Sequence, residues 1–183
     1  TKEAAKRKLG IDPANTHLLV MCGSMGCGPL EKLTKLLAKQ MDGSMALSIV
    51  CGTNKKLKEE LTEKFGSASN IHVYGFVQDM NAMMDSADLY LTKPGGLSTT
   101  EAAAKRLPMV FIDAVAGCEE YNLNYFVSIG GAVTADEPED LARLCIRLIK
   151  DSPKRKAMAS ALAASIPKNA AQQIYDVMKE DAP

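Results

Sequence analysis

Six short apolar runs, separated by turns and helical stretches, limit this chain to few folds. The first, Leu18 to Cys22, is continuous apolar sequence of strand length. It is too short for a helix and lacks the alternation of a half-exposed strand, so both of its faces are predicted to be buried. Strands buried on both faces belong to parallel sheets covered by helices. Met45 to Cys51, Ile71 to Tyr74, Leu89 to Thr92, Met109 to Ile112 and a run around Ala132 to Thr134 repeat the theme. Helices are predicted between them: Thr1 to Leu9; a stretch with Leu30, Leu33, Leu36, Leu37 and Met41 at helical spacing; Lys55 to Phe65; and Asp79 to Ser86. Further helices carry Ser98 to Glu101 in a first turn, open on Glu119, Glu120 and Asn122, and start at Asp136-Glu137-Pro138. Two more, split by Pro153 and Pro167, run to the end. The last, Ala170 to Lys179, reads as weakly amphipathic and able to reach another domain. The expected architecture is α/β: a Rossmann-like three-layer sandwich around a parallel sheet of about six strands, one domain over residues 1–183.

Composition narrows the function classes. Lys plus Arg and Asp plus Glu are both 22, so no net field draws the chain to nucleic acid or anionic lipid. The five cysteines are odd in number and lie mostly in or beside apolar runs, with no C-x-x-C pair, which fits a reduced, cytosolic setting. His17 and His72 both fall at strand starts and read as ordinary surface imidazoles, so no zinc site is expected. Apolar runs stay short of a membrane span, and the N-terminus reads as a charged helix, not a signal peptide. There is no Trp, which weakens any stacking platform for single strands.

The informative loops follow the strands. After Leu18 to Cys22 comes Gly23-Ser24-Met25-Gly26-Cys27-Gly28 and then a helix. Strand, glycine loop and helix let backbone N–H groups of Gly23, Ser24 and Gly26 approach a diphosphate, with the Ser24 hydroxyl beside them. The order G-x-x-G-x-G is not the dinucleotide fingerprint, and Gly52-Thr53-Asn54 stands where a nicotinamide enzyme places an acidic residue. After Leu89 to Thr92, Pro94-Gly95-Gly96 leads into a helix whose dipole favours an anion at its start. The same glycines also suit a plain tight turn, with Glu101 complementing the helix start. Met80, Met83 and Met84 are read as core filler.

Three words in order carry a family resemblance: Gly75-Phe76-Val77-Gln78-Asp79-Met80, Thr92-Lys93-Pro94-Gly95-Gly96-Leu97-Ser98-Thr99-Thr100-Glu101-Ala102 and Gly117-Cys118-Glu119-Glu120-Tyr121-Asn122. Nearly the whole chain resembles the C-terminal, donor-binding domain of two-domain GT-B glycosyltransferases. It looks most like the processive diacylglycerol glucosyltransferases and monogalactosyldiacylglycerol synthases, with the peptidoglycan N-acetylglucosaminyltransferase more distant. The resemblance implies that Phe76 and the Val77 backbone hold uracil, Glu101 the ribose, and Glu119, Glu120 and Asn122 the sugar of a UDP-sugar. Diphosphate would lie on Gly23, Ser24, Gly26, Gly96, Leu97 and Ser98. Two departures stand out: Cys27 replaces a residue that is more often Ala, and Glu119-Glu120 replaces the two glutamines of the peptidoglycan enzyme.

Transfer of a hexose needs a grip on the donor, compensation of charge on the departing diphosphate, and a base for the acceptor hydroxyl. Amides and a helix dipole can supply the second without a metal or cofactor. No base is visible here. The resemblance places the base and the lipid acceptor on an N-terminal domain outside this chain, so the expectation is a donor-binding half that is inactive alone, cytoplasmic, and at most peripherally membrane-bound in the whole protein. Two alternatives stay open: a donor-binding subunit that works with a separate membrane-anchored partner, and half of a UDP-sugar epimerase.

Overall fold

The computed structural model describes residues 1–23, 29–112, 114, 117–167 and 169–180, with the backbone alone at 118 and 180. The elements are α1 (Lys2–Lys8), β1 (Thr16–Met21), α2 (Leu30–Ala38), β2 (Met45–Val50), α3 (Lys55–Phe65), β3 (Ile71–Tyr74), α4 (Met80–Ser86) and β4 (Leu89–Thr92). They continue as α5 (Gly96–Ala104), β5 (Met109–Phe111), α6 (Cys118–Ser128), β6 (Ala132–Thr134), α7 (Pro138–Lys150), α8 (Ser152–Ser165) and α9 (Ala170–Glu180). Six strands form one sheet in the order β3-β2-β1-β4-β5-β6, and every pairing is parallel. The architecture is therefore the Rossmann-like sandwich expected from the apolar runs.

Alternation along each strand divides the interior into two cores. Leu18, Val20, Leu47, Ile49, Leu89 and Leu91 point to one face, where Leu33 and Leu37 of α2 and Leu141, Cys145 and Leu148 of α7 meet them. Leu19, Val50, Tyr90 and Phe111 point to the other, against Met83 and Met84 of α4, Ala102 and Ala103 of α5, and Phe126 of α6. The strands read as unbroken apolar runs because both faces are covered. The methionines of α4 do fill core space: Met83 and Met84 are buried.

Two details differ from the sequence expectation. His17 is wholly buried instead of lying on the surface. The ring is sandwiched between hydroxyls: Nε2 lies 2.8 Å from Ser48 Oγ and Nδ1 3.1 Å from Ser86 Oγ. Because Ser86 donates its own proton to Met83 O, its oxygen accepts from Nδ1–H, and Ser48 donates to Nε2. One imidazole thus ties β1, β2 and α4 together with both nitrogens satisfied. The other difference concerns α5 and is taken up with the site. Helix α9 forms where expected, and its described side chains are all exposed, including Ile174, Tyr175, Val177 and Met178.

Burial holds the His17 pKa down at about 4, so the ring is neutral at neutral pH. An unfolded chain takes up this proton near pH 6.5 and the folded chain does not, so stability is expected to fall as pH drops from about 6.5 towards 4. The loss over that window is on the order of 3 kcal/mol. Urea unfolding at pH 7 and pH 4.5, compared with His17→Gln, checks this: the variant loses the part of the pH dependence that belongs to His17. An equal slope in both proteins contradicts it.

Candidate functional site

All six strands run the same way, so the loops that leave their carboxyl ends share one edge of the sheet. Strand order reverses between β1 and β4, and their register pairs Met21 with Thr92. After β1 the next helix, α2, packs on one face of the sheet, whereas α5, after β4, packs on the other, the arrangement at which ligands of such sheets bind. Gly23 has φ +72°, a conformation that favours glycine. Ser24 and Gly26, expected to touch diphosphate, lie outside the described residues.

Helix α5 starts at Gly96, two residues before the predicted Ser98. The first helical bond runs from Thr99 N–H to Gly95 O at 3.1 Å, leaving the amides of Gly96, Leu97 and Ser98 ahead of the ladder. Gly95 offers no side-chain cap, and the first turn holds no acidic residue. The earlier start moves Glu101 into the second turn, so its carboxylate does not serve the helix start, whose dipole effect fades within one turn. Thr99 and Thr100 turn their hydroxyls back to Gly95, Gly96 and Leu97 carbonyls of their own helix. Among the described residues, a Cβ added to Gly96 would meet nothing within 4 Å.

The β5 side supplies two contacts to this turn. Asn122 Nδ2 donates to Pro94 O at 2.9 Å, pinning the β4–α5 turn to α6. The Glu119 carboxylate comes close to Gly95, with Oε1 3.8 Å from where a Cβ on that residue would sit. Glu120 has a local duty: Oε2 accepts from Gly117 N–H at 3.1 Å at the start of α6. Gly117 adopts φ +96°, which any side chain would strain. Of the three residues assigned to the sugar, Glu119 and Asn122 are thus drawn to the α5 turn, while Glu120 braces its own helix.

On the other side, β3 ends at Tyr74 and the chain crosses to the face covered by α5. Val77 is part-buried against that core, whereas Phe76 is 66% exposed at the carboxyl end of its strand. Asp79 caps α4 by accepting from Ala82 N–H at 3.0 Å and pairs with Lys8 at 2.7 Å. A cleft between α4 and α5 is lined by Gln78, Asp79, Asn81, Glu101 and Lys105. Glu101 and the segment just after Phe76 and Val77 therefore face the same hollow. Gln78 and Asn81 had no assigned role, because nothing in their spacing shows that α4 lies beside α5. A second cleft, lined by Lys2, Asp88, Arg106 and Arg155, sits at the amino ends of the strands, away from these loops. Three of its charged groups serve the fold: Lys2 pairs with Asp88, and Arg155 Nη1 donates to the last carbonyls of α7.

Among the described residues no three His, Cys, Asp or Glu side chains gather to hold a metal ion. Nor is any helix among them long and apolar enough to cross a membrane. The described thiols are core groups: Cys22, Cys51 and Cys145 are buried, and burial pushes Cys51 up to about 11 and Cys145 to about 12.

A six-stranded parallel sheet covered on both faces, with its strand ends gathered at one edge around a helix start that no described side chain caps, is a Rossmann-like domain, the kind of unit that forms one half of a GT-B fold. The sequence profile described as glycosyl transferases group 1 matches residues 28–163, and the chain belongs to that family. The processive diacylglycerol beta-glucosyltransferase of Staphylococcus aureus is 33% identical over 166 residues, covering 90% of this chain and 42% of that protein. This chain therefore spans less than half the length of such relatives. MurG of Acinetobacter baumannii superimposes with a TM-score of 0.75 at 22% identity, over 97% of this chain and 53% of its own. HepE of Anabaena, solved with UDP and glucose, gives 0.71 at 20% identity, over 97% and 51%. At such identities the two structures speak for the fold.

Proposed function

We propose that this chain is the donor-binding part of a glycosyltransferase that moves a hexose from a UDP-sugar to a diacylglycerol-type lipid. The observation that carries the proposal is the run of amides at Gly96, Leu97 and Ser98, ahead of the helical ladder at the switch point of the sheet, with no described atom within 4 Å of a Cβ on Gly96. Charge builds on the diphosphate as the glycosidic bond breaks. Amides already oriented by α5, with its dipole behind them, stabilise that charge without reorganising. Glu101, in its cleft beside Gln78, accepts hydrogen bonds from the ribose hydroxyls, and the exposed Phe76 offers its ring to the uracil, with Val77 at the base edge. The hexose lies towards Glu119, near the α5 turn, with Glu120 and Asn122 on the same helix. Gly23, just past the end of β1, is assigned to the diphosphate, as the sequence assigns Ser24 and Gly26.

The acceptor, its general base and any contact with a membrane surface belong to a domain beyond these residues. That division agrees with the 42% of the Staphylococcus aureus relative that this chain spans. In this reading the chain binds donor and transfers nothing on its own. Calorimetric titration with UDP, uridine and inorganic diphosphate tests the donor site. Glu101→Ala is expected to weaken UDP and uridine by roughly tenfold, the worth of one or two hydrogen bonds to a carboxylate, and to leave inorganic diphosphate unchanged. Equal loss for all three ligands overturns the ribose role.

A further inference from the structure

Two hydroxyls under the start of α5 have no evident reason to be there. Tyr90 and Thr92 lie two residues apart on β4 and so share one face of the sheet, the face on which Tyr90 packs with Leu19, Phe111 and Ala102. Tyr90 is wholly buried and Thr92 is 1% exposed. Neither Tyr90 Oη nor Thr92 Oγ1 has a hydrogen-bond partner among the described residues. A buried hydroxyl left unpaired is costly, and phenylalanine would fill the same space without that cost. Tyr90 Oη lies beside the side chains of Thr92 and Ser98, close to them but outside hydrogen-bond geometry. Ser98 is the third residue of α5 and carries one of the three leading amides.

Resting on the donor site proposed above, we propose that Tyr90 is a positioning residue for the diphosphate. Its phenol donates to Ser98 Oγ, which directs the Ser98 proton outward to a phosphate oxygen. A serine oxygen has one proton to give and two lone pairs to fill, so a donor from below leaves the Ser98 O–H for the ligand. A small turn of the Ser98 side chain under an oxyanion forms both bonds together. Burial pushes the Tyr90 pKa up to about 12, so the phenol keeps the proton it must donate. Thr99 and Thr100 cannot substitute, because their hydroxyls are committed to carbonyls of their own helix.

The test is calorimetric titration of the chain, Tyr90→Phe, Ser98→Ala and the double variant with UDP, inorganic diphosphate and uridine, alongside thermal unfolding. Tyr90→Phe is expected to weaken UDP and inorganic diphosphate by about fivefold to tenfold, the scale of one hydrogen bond to a charged group. Uridine binding stays unchanged, the melting temperature does not fall, and the double variant is no weaker than Ser98→Ala alone. A merely structural tyrosine would lower stability, or affect all three ligands equally. If the unaltered chain binds UDP and Tyr90→Phe binds diphosphate equally well, or the two substitutions multiply, the inference fails and the donor site stands. If the unaltered chain binds neither UDP nor diphosphate, both fall.

Discussion

Gly96→Val is expected to cost about two orders of magnitude or more in affinity for UDP while leaving the fold intact, since it removes two or three charge-assisted hydrogen bonds together. Gly96 is the first residue of α5, its φ is not among the positive values, and an added Cβ meets no atom within 4 Å among the described residues. Valine is also a somewhat better helix residue than glycine, so the melting temperature should hold or rise slightly. The damage comes from direction. A helical Cα–Cβ bond tilts towards the amino end, so the new isopropyl group projects into the space before the Gly96, Leu97 and Ser98 amides. An anion seated there is displaced, and longer ligands that include a diphosphate go with it. Titration with UDP and inorganic diphosphate, paired with thermal unfolding, measures both halves. Unaltered affinity would mean that the anion sits elsewhere; lost affinity with lost stability would mean that the glycine serves the fold.

Asp88→Ala should be the more damaging change for stability, by about 3–5 kcal/mol, the usual cost of removing one partner from a buried ion pair. Asp88 precedes β4 at the amino ends of the strands, opposite the proposed site. Its carboxylate accepts from Lys6 Nζ at 2.8 Å, Lys2 Nζ at 2.7 Å and the His17 N–H at 2.9 Å. Lys6 is only 5% exposed and also donates to Asn15 O at 2.6 Å. Without Asp88, an ammonium stays in the interior with one neutral acceptor. Substituting both, as Lys6→Met with Asp88→Leu, should therefore be milder than Asp88→Ala alone.

The pH dependence has a definite sign. Burial pushes the Asp88 pKa up, but hydrogen bonds from Lys2, Lys6 and the His17 backbone outweigh it and leave it below the ordinary value. A depressed folded pKa stabilises above the unfolded value, near 4, and the contribution is lost as pH falls through the folded pKa. Asp88→Ala should remove that part of acid unfolding, which lies below the His17 window. Urea titrations of the single and double variants decide the matter, and a single variant as stable as the parent would refute the pairing.

Much of the architecture was legible because parallel strands hide both faces. Ile71–Tyr74, Leu89–Thr92 and Ala132–Thr134 have the bounds that the apolar runs imply, and the other three strands differ by one or two residues at their ends. β1 starts earlier than expected, at Thr16, since His17 is polar by composition yet satisfied in place by Ser48 and Ser86, 31 and 69 residues away. The start of α5 was misplaced for a related reason. Glycine is a poor helix residue, so Gly96 reads as turn, but the Asn122 bond to Pro94 O, from 28 residues on, helps to hold the preceding turn.

The amino-acid sequence determined which segments would be strands and which would be helices, and that glycine-bearing turns would follow the strands, because burial period and turn chemistry are local properties of a chain. Only the tertiary structure decided that β1 and β4 are neighbours, that Glu101 shares a cleft with Gln78, and that the buried hydroxyls of Tyr90 and Thr92 have no hydrogen-bond partner among the described residues. Those facts depend on which strand lies beside which and on where α4 crosses. Periodicity says that a surface is covered, and only the assembled sheet says what covers it.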